Sequence, residues 1–145
     1  MRLDQKISAL SAPAVFQGLE PQALHVLAFS ASIRRLKAGE ELFRQGEAAD
    51  GGYVIVSGRL SVSPDGVAMA EEGQLGPGGL IGETALIAEI ERPQTVFALE
   101  PASLLFIPRT LMREVLVAHP ASAASLRSRI AARLAGTAAR LGSLA

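Results

Sequence analysis

Short apolar runs separated by closely spaced turns fill the middle of this chain, between residues 33 and 108. Each run is two to four residues long, and turn signals, mostly built on glycine, lie between the runs. Strands joined so closely, with no helix between them, pair antiparallel in a sandwich or a roll. The predicted strands are Leu42-Phe43, Tyr53–Val56, Leu60–Val62, Val96–Ala98 and Leu104–Ile107.

Helical periodicity flanks this strand-rich region on both sides. Pro21 suits the first turn of a short helix, because the apolar residues that follow it recur three and four positions apart. After the last strand, one helix is predicted over Arg109–His119, and Pro120 begins a second. A chain of 145 residues suits one domain. We divide it into an N-terminal helical segment (1–32), a β region (33–108) and C-terminal helices (109–145).

The last predicted helix has an apolar stripe and a basic opposite face. At 100° per residue the stripe contains Leu126, Ile130, Leu134, Ala138, Leu141 and Leu144, and Arg129, Arg133 and Arg140 cluster opposite. Such a stripe serves either as packing within the domain or as a dimer seam. Residues 101–145 carry six Arg and one Glu, whereas residues 1–100 carry 8 basic and 13 acidic residues. We interpret the basic side as a solvated face near an acidic partner surface.

Composition argues against several classes of protein. The chain has no cysteine, so disulfides and thiolate metal sites are excluded. Its two histidines, His25 and His119, both lie in predicted helices, away from the strands that would hold a cupin-type metal site. No apolar run reaches the roughly 18 residues of a membrane span, and the N-terminus lacks a signal peptide. We therefore expect a cytoplasmic protein that is not an enzyme and needs neither a metal nor the membrane.

One segment suits the binding of an anion. Gly82 and Glu83 end an apolar strand and begin a short helical turn, whose first backbone N–H groups have no intrahelical partner and attract negative charge. Gly82 removes a Cβ where chain and ligand approach closely. Nine residues after Glu83 stands Arg92, whose guanidinium can fork onto phosphate oxygens. A Glu and an Arg around such a turn suit a ligand with both hydroxyls and a phosphodiester.

These residues together resemble a known family. Residues 82–87 (Gly-Glu-Thr-Ala-Leu-Ile) and 92–96 (Arg-Pro-Gln-Thr-Val) resemble the phosphate-binding cassette of cyclic-nucleotide-binding domains, with the Glu-to-Arg spacing of protein kinase A regulatory subunits. Catabolite activator proteins and bacterial cyclic-nucleotide-gated channels carry the same domain. Upstream, the residues that resemble its turn-and-strand signature are Phe43–Glu47, Asp50, Tyr53–Ile55 and Gly58.

The resemblance implies an α+β fold: an antiparallel β-roll (a double-stranded β-helix or jelly roll) with N-terminal helices and two C-terminal helices. It implies a sensor of cAMP or, alternatively, cGMP, with no other cofactor. Glu83 would accept a hydrogen bond from the ribose 2′-hydroxyl, Arg92 would pair with the cyclic phosphate, and the amides of Thr84 and Ala85 would hold its oxygens. The implied ligand-binding residues are Gly82, Glu83, Thr84, Ala85, Arg92, Gln94 and Thr95. Possible base-contacting residues are Leu60, Val62, Leu80, Ile81 and Arg133, although a solvated Arg133 is the simpler reading.

One position departs from the family pattern. Many members have Ala, Ser or Thr directly after the cassette arginine, whereas this chain has Pro93, which lacks an N–H and a hydroxyl. Losing that donor weakens the site by about 1–2 kcal/mol, unless the amide of Gln94 compensates. A nucleotide-independent interaction or dimerisation module therefore stays open as the alternative function.

Expected partners are a cyclic nucleotide and either a second copy, through the C-terminal helix, or an effector protein. Direct nucleic-acid binding is not expected, because no helix-turn-helix pattern follows the long helix before Ala145.

Overall fold

A computed structural model describes residues 1–63 and 74–144 of the chain, the last nine of them as backbone only. The helices are α1 (Leu3–Leu10), α2 (Pro21–Ser30), α3 (Arg109–Ala118) and α4 (Pro120–Leu144), with 3₁₀ turns at Ala14–Phe16 and Thr84–Leu86. The strands are β1 (Ser32–Leu36), β2 (Glu41–Phe43), β3 (Ala48–Ala49), β4 (Gly51–Ser57), β5 (Leu60–Ser63), β6 (Gln74–Leu75), β7 (Leu80–Ile81), β8 (Ile90–Glu91), β9 (Thr95–Ala98) and β10 (Ala102–Pro108).

The described strands pair only antiparallel, in two four-stranded sheets and one short pair. One sheet has the order β1-β10-β4-β7, the other has the order β2-β9-β5-β6, and β3 pairs with β8. Helices precede and follow this β-roll. The predicted α+β fold, an antiparallel β-roll between N-terminal helices and two C-terminal helices, is confirmed.

Strands β4 and β10 lie between two hydrophobic cores. Adjacent residues of a strand point to opposite faces, so Val54 and Leu105 pack against the helices while Ile55 and Leu104 pack between the sheets. All four side chains are at most 1% exposed. Burial on both faces explains why these two strands appear in the sequence as continuous apolar runs.

Several elements were absent from the sequence prediction, among them β1, α1 and the two-residue strands β3, β6 and β8. Strand β1 is an edge strand whose first four residues are exposed, so its sequence, Ser-Ile-Arg-Arg-Leu, lacks apolar alternation. Its conformation comes from backbone pairing with β10, for example Ile33 opposite Leu105. Helix α1 contacts α2 and contributes Leu10 to the helical core. At the other end of the chain, α3 ends at Ala118, one residue before the predicted end.

The apolar stripe of α4 is partly core. Leu126 and Ile130 are at most 1% exposed and belong to the helical core, whereas Leu134 is half exposed. The other predicted stripe residues, Ala138, Leu141 and Leu144, lie outside the described side chains, as does Arg140. The beginning of α4 is therefore held by its own domain. Among the described helices, none combines the length and the apolar character needed to cross a membrane.

The joint between α3 and α4 is tied to the N-terminal segment. His119 Nδ1 lies 3.1 Å from Glu20 Oε2, and the backbone N–H of Glu20 donates to Ser122 Oγ at 2.8 Å. Ser122 is fully buried. The segment before α2 thus fixes the place where the two C-terminal helices meet.

We expect Gly58→Ala to destabilise the fold more than Gly39→Ala. Both glycines have a left-handed backbone, with φ of +90° and +83°, but a Cβ at Gly58 would lie 2.6 Å from Ala102 Cα, while nothing lies within 4 Å at Gly39. The shared backbone strain costs about 1–2 kcal/mol, and the steric overlap at Gly58 adds about 1–3 kcal/mol. Urea unfolding of the two variants measures the difference, and equal losses of unfolding free energy would contradict the close packing of β4 and β5 against β10.

Candidate functional site

A cavity of about 250 Å³ opens beside the 3₁₀ turn at Thr84–Leu86. This volume is slightly below the usual range of about 300–1,000 Å³ for small-molecule sites. Its walls come from both four-stranded sheets and from the cassette segment between β7 and β9. The lining residues are Phe43, Val62, Leu75, Leu80, Ile81, Gly82, Glu83, Thr84, Ile90, Arg92, Pro93, Gln94 and Val96.

A buried cation lines this cavity. The Arg92 side chain is only 3% exposed, and its guanidinium carbon lies 4.2 Å from the ring centroid of Phe43 and 5.7 Å from that of Tyr53. Its Nη2 donates to Asp50 Oδ1 at 3.3 Å, while its buried Nη1 has no hydrogen-bond partner among the described residues. Burial lowers the pKa of Arg92, and the charges of Tyr53 and Asp50 oppose this shift. An unpaired donor on a buried cation is costly, and an anion would satisfy it.

Gly82 allows this arginine to lie against the backbone. Its φ is +79°, and a Cβ at this position would lie 2.6 Å from Arg92 Nη1. Any other residue would therefore meet both backbone strain and the guanidinium. The structure brings together the two ends of the predicted cassette, Gly82 and Arg92, which are ten positions apart in the sequence.

The 3₁₀ turn uses some of its N–H groups internally. The amide of Ala85 donates to Gly82 O at 3.1 Å, and the amide of Leu86 donates to Glu83 O at 3.2 Å. Ala85 itself is fully buried, so it does not line the cavity. Thr84 lines the cavity and precedes these donors, which places its N–H at the start of the turn.

Glu83 is linked to the last helix. Arg133 Nη1 of α4 donates to Glu83 Oε2 at 2.8 Å. The glutamate side chain is 19% exposed and that of the arginine 53%. Burial raises the pKa of Glu83, and the positive charge of Arg133 acts in the opposite direction. Arg133 lies outside the cavity lining. Its described partner is the carboxylate of Glu83, the group that the family resemblance predicts to bind the ribose 2′-hydroxyl.

The remaining predicted residues divide between cavity and core. Gln94, Val62, Leu80 and Ile81 line the cavity, and Pro93 lines it as well. Leu60 is fully buried in the core between the sheets and has no place in the lining.

Thr95 also lies outside the cavity lining. It is 7% exposed, and its Oγ1 accepts a hydrogen bond from the Gln45 amide at 3.0 Å. It therefore holds the turn after β2.

Sequence reasoning did not assign two groups of residues to the site. The first is the surrounding of Arg92: Phe43, Asp50 and Tyr53 were quoted for the family resemblance, but nothing in their spacing indicated contact with the arginine. The second is Arg109, whose Nη1 donates to Ala49 O, Ala85 O and Ala88 O at 2.8, 3.3 and 3.2 Å. A cation at the first residue of a helix is unfavourable for the helix dipole, and this was the one available signal that Arg109 has another partner.

Within residues 1–63 and 74–144, no group of three or more His, Asp or Glu side chains is placed to hold a metal ion. The chemistry that the described site offers is therefore that of one buried cation, one carboxylate, the start of a short helical turn and apolar walls. This combination suits a small ligand with an anionic group, a hydroxyl and an apolar face.

Curated relatives match most of this chain with a small part of their own length. Lysophospholipase nte1 of Aspergillus fumigatus is 29% identical over 116 residues, which cover 79% of this chain but 8% of that protein. The cAMP-dependent protein kinase regulatory subunit of Yarrowia lipolytica is 28% identical over 116 residues, covering 80% of this chain and 30% of that protein. The chain thus spans less than a third of each of these two relatives.

A solved structure matches at nearly full length, and a family profile agrees with it. The N-terminal domain of a transcriptional regulator from Streptomyces coelicolor has 30% identity and a TM-score of 0.77, covering 92% of this chain and 94% of that one. The profile described as Cyclic nucleotide-binding domain matches residues 33–119, from β1 to the joint before α4. Since this match covers more than half of the residues and includes the whole cassette, the chain belongs to the cyclic nucleotide-binding domain family.

Proposed function

We propose that the chain is a sensor domain that binds a cyclic nucleotide in the cavity beside the cassette, with the cyclic phosphate on Arg92. The observation that carries the proposal is the unpartnered Nη1 of this buried arginine, on a residue that lines the cavity. A phosphodiester supplies the missing acceptor for Nη1 and carries a negative charge to the same cation. Each charge-assisted hydrogen bond of this kind is worth about 1.5–3 kcal/mol.

The neighbours of Arg92 support a phosphate at this point. Asp50, 3.3 Å from Nη2, orients one side of the guanidinium and leaves Nη1 for the ligand. The Thr84 amide at the start of the 3₁₀ turn offers a second donor to the same anion. Pro93 lines the cavity but has no N–H to offer, whereas the side-chain amide of Gln94 also reaches the lining.

The apolar walls favour adenine, so we propose cAMP as the nucleotide. Val62, Leu75 and Leu80 offer aliphatic surface to a flat base. Guanine carries two exocyclic polar groups, a C6 carbonyl and a C2 amino group, where adenine carries only a C6 amino group, and the extra group would lose a hydrogen bond to water against such a wall. The name of the Yarrowia lipolytica relative, a cAMP-dependent regulatory subunit, agrees with this choice.

Helix α4 would report the nucleotide through Glu83. A ribose 2′-hydroxyl bound to Glu83 competes with Arg133 for the same carboxylate, 2.8 Å away in the present structure. Binding then changes the contact that joins α4 to the cassette, and a contact that differs between two states shifts their populations. The ion pair is half exposed, so the energy available to this switch is modest, about 0.2–1 kcal/mol.

Arg92→Ala should reduce the affinity for cAMP by about 10- to 100-fold, because the charge-assisted hydrogen bond from Nη1 to the phosphate is lost. Isothermal titration calorimetry measures the affinity, and circular dichroism confirms that the variant is folded. Arg35→Ala, at an exposed arginine of β1, is the matched control and should bind as tightly as wild type. Equal affinity of Arg92→Ala and wild type would contradict the site. Absence of wild-type binding at millimolar cAMP and cGMP would support the nucleotide-independent module instead.

Pro93→Ser should increase the affinity for cAMP by about tenfold, because it restores an N–H and a hydroxyl beside the phosphate. Competition binding against a fluorescent cAMP analogue measures the gain. Pro101→Ser, at an exposed proline before β10, controls for a general effect of removing proline. An unchanged or lower affinity of Pro93→Ser would indicate that this position does not face the phosphate.

Arg133→Gln should increase the affinity for cAMP by about two- to fivefold, because Glu83 is then available to the ribose without displacing an ion pair. Arg127→Gln, two turns earlier on α4, removes the same charge without touching Glu83 and is the control. A lower affinity of Arg133→Gln would indicate that this arginine contacts the nucleotide, as in base stacking. Hydrogen exchange over residues 126–135 with and without cAMP tests whether α4 responds.

A further inference from the structure

A second depression lies outside the nucleotide site, between α3 and α4. It is an open groove of about 370 Å³. Helix α3 presents Arg113, Leu116 and Val117 to it, which are spaced i, i+3 and i+4 and therefore share one face. Helix α4 presents a matching face at the same spacing, formed by Pro120, Ala123, Ala124 and Arg127. The groove thus has an aliphatic floor with an arginine at each side.

The aliphatic part of the groove is open to a partner. Val117 is 77% exposed, the largest exposed fraction among the large apolar side chains described as exposed. Leu116 and Ala123, at the floor, are each 5% exposed. A large apolar side chain so far in solvent, next to a concave floor, is a feature of docking surfaces for an apolar anchor.

The two arginines of the groove differ from the others of the C-terminal helices. Among the five whose side chains are described, Arg109 is bonded to carbonyl groups, Arg129 to Ser125 Oγ and Ala14 O, and Arg133 to Glu83. Arg113 and Arg127 have neither a hydrogen bond nor an ion pair within the described part of the chain. Two uncommitted guanidinium groups therefore border one aliphatic groove.

We propose that this groove binds an acidic segment of a partner protein, with an aliphatic side chain over Leu116 and carboxylates on Arg113 and Arg127. Guanidinium groups pair with carboxylates in a planar, bidentate manner, and they lose little hydration in doing so. Apolar contact with the aliphatic floor slows the dissociation of such a segment. Charge complementarity with the basic C-terminal helices, six Arg against one Glu, steers an acidic partner towards it.

Two other occupants fit the groove less well. A two-fold dimer would place the same patch of each copy face to face, and Arg113 and Arg127 of one copy would meet those of the other with like charge. Nucleic acid offers phosphates to arginine, but the lining contains no aromatic side chain on which a base could stack. An acidic, partly aliphatic peptide satisfies the arginines and the floor together.

A selection from a displayed library of random peptides tests the proposal with the full chain as bait. We expect enriched peptides to combine Asp or Glu with Leu, Ile or Val. Fluorescence polarisation measures how tightly the enriched peptides bind. We expect the affinity to fall by about tenfold or more in Arg113→Glu and in Arg127→Glu, and to fall further in the double variant. The double variant Arg35→Glu/Lys37→Glu, at exposed residues of and after β1, changes the net charge equally and should bind like wild type.

Several results would overturn the proposal. One is the enrichment of peptides without acidic residues, or of none at all. Another is unchanged peptide affinity of the double variant Arg113→Glu/Arg127→Glu, when urea unfolding shows that this variant and the control double variant are equally stable. A wild-type dimer by light scattering that only the groove variant dissociates would place a second copy there. Duplex DNA bound by wild type, and lost only in the groove variant, would assign the groove to nucleic acid. Since nucleotide binding enters none of these measurements, their outcome is independent of the function proposed for the cavity.

Discussion

The buried guanidinium of Arg92 is the constraint on which the site depends. A cation that is only 3% exposed needs compensation from its surroundings, and it receives this from the ring of Phe43 and from Asp50, while Gly82 leaves the space that its guanidinium occupies. Phe43 belongs to β2, Asp50 lies between β3 and β4, and Gly82 directly follows β7. One charge therefore determines how three separate parts of the roll approach each other, and it leaves one donor over for a ligand.

The cassette is also held from the helical side, by two further arginines. Arg109, the first residue of α3, donates to Ala85 O and Ala88 O, and Arg133 of α4 pairs with Glu83. The first contact is to the backbone and is largely buried, whereas the second is half exposed and joins side chains. The backbone contact is suited to holding α3 with the cassette, and the weaker ion pair is suited to exchange when a ligand competes for the carboxylate.

The agreement between sequence and structure is best where burial is two-sided or where a turn demands glycine. Tyr53–Val56 and Leu104–Ile107 were predicted as strands because they are short apolar runs between turns, and both lie within the strands β4 and β10, whose two faces are largely buried. Strand β1 was missed because four of its five residues face solvent. Among the predicted cavity residues, Leu60 and Thr95 are core or turn residues, since an alternating pattern does not reveal which of two buried faces borders a cavity.

The sequence by itself determined the antiparallel roll, the flanking helices and the identity of the cassette, because turn spacing, helical period and a local motif are all encoded over short distances. The tertiary structure determined which residues that are distant in the sequence lie in contact. Asp50 and Phe43 contact Arg92 although they are more than forty positions away from it in the sequence. Arg133 and Glu83, which form an ion pair, are fifty positions apart. Such contacts depend on how the strands pair and on where α4 lies, and a local sequence pattern does not encode packing between distant segments.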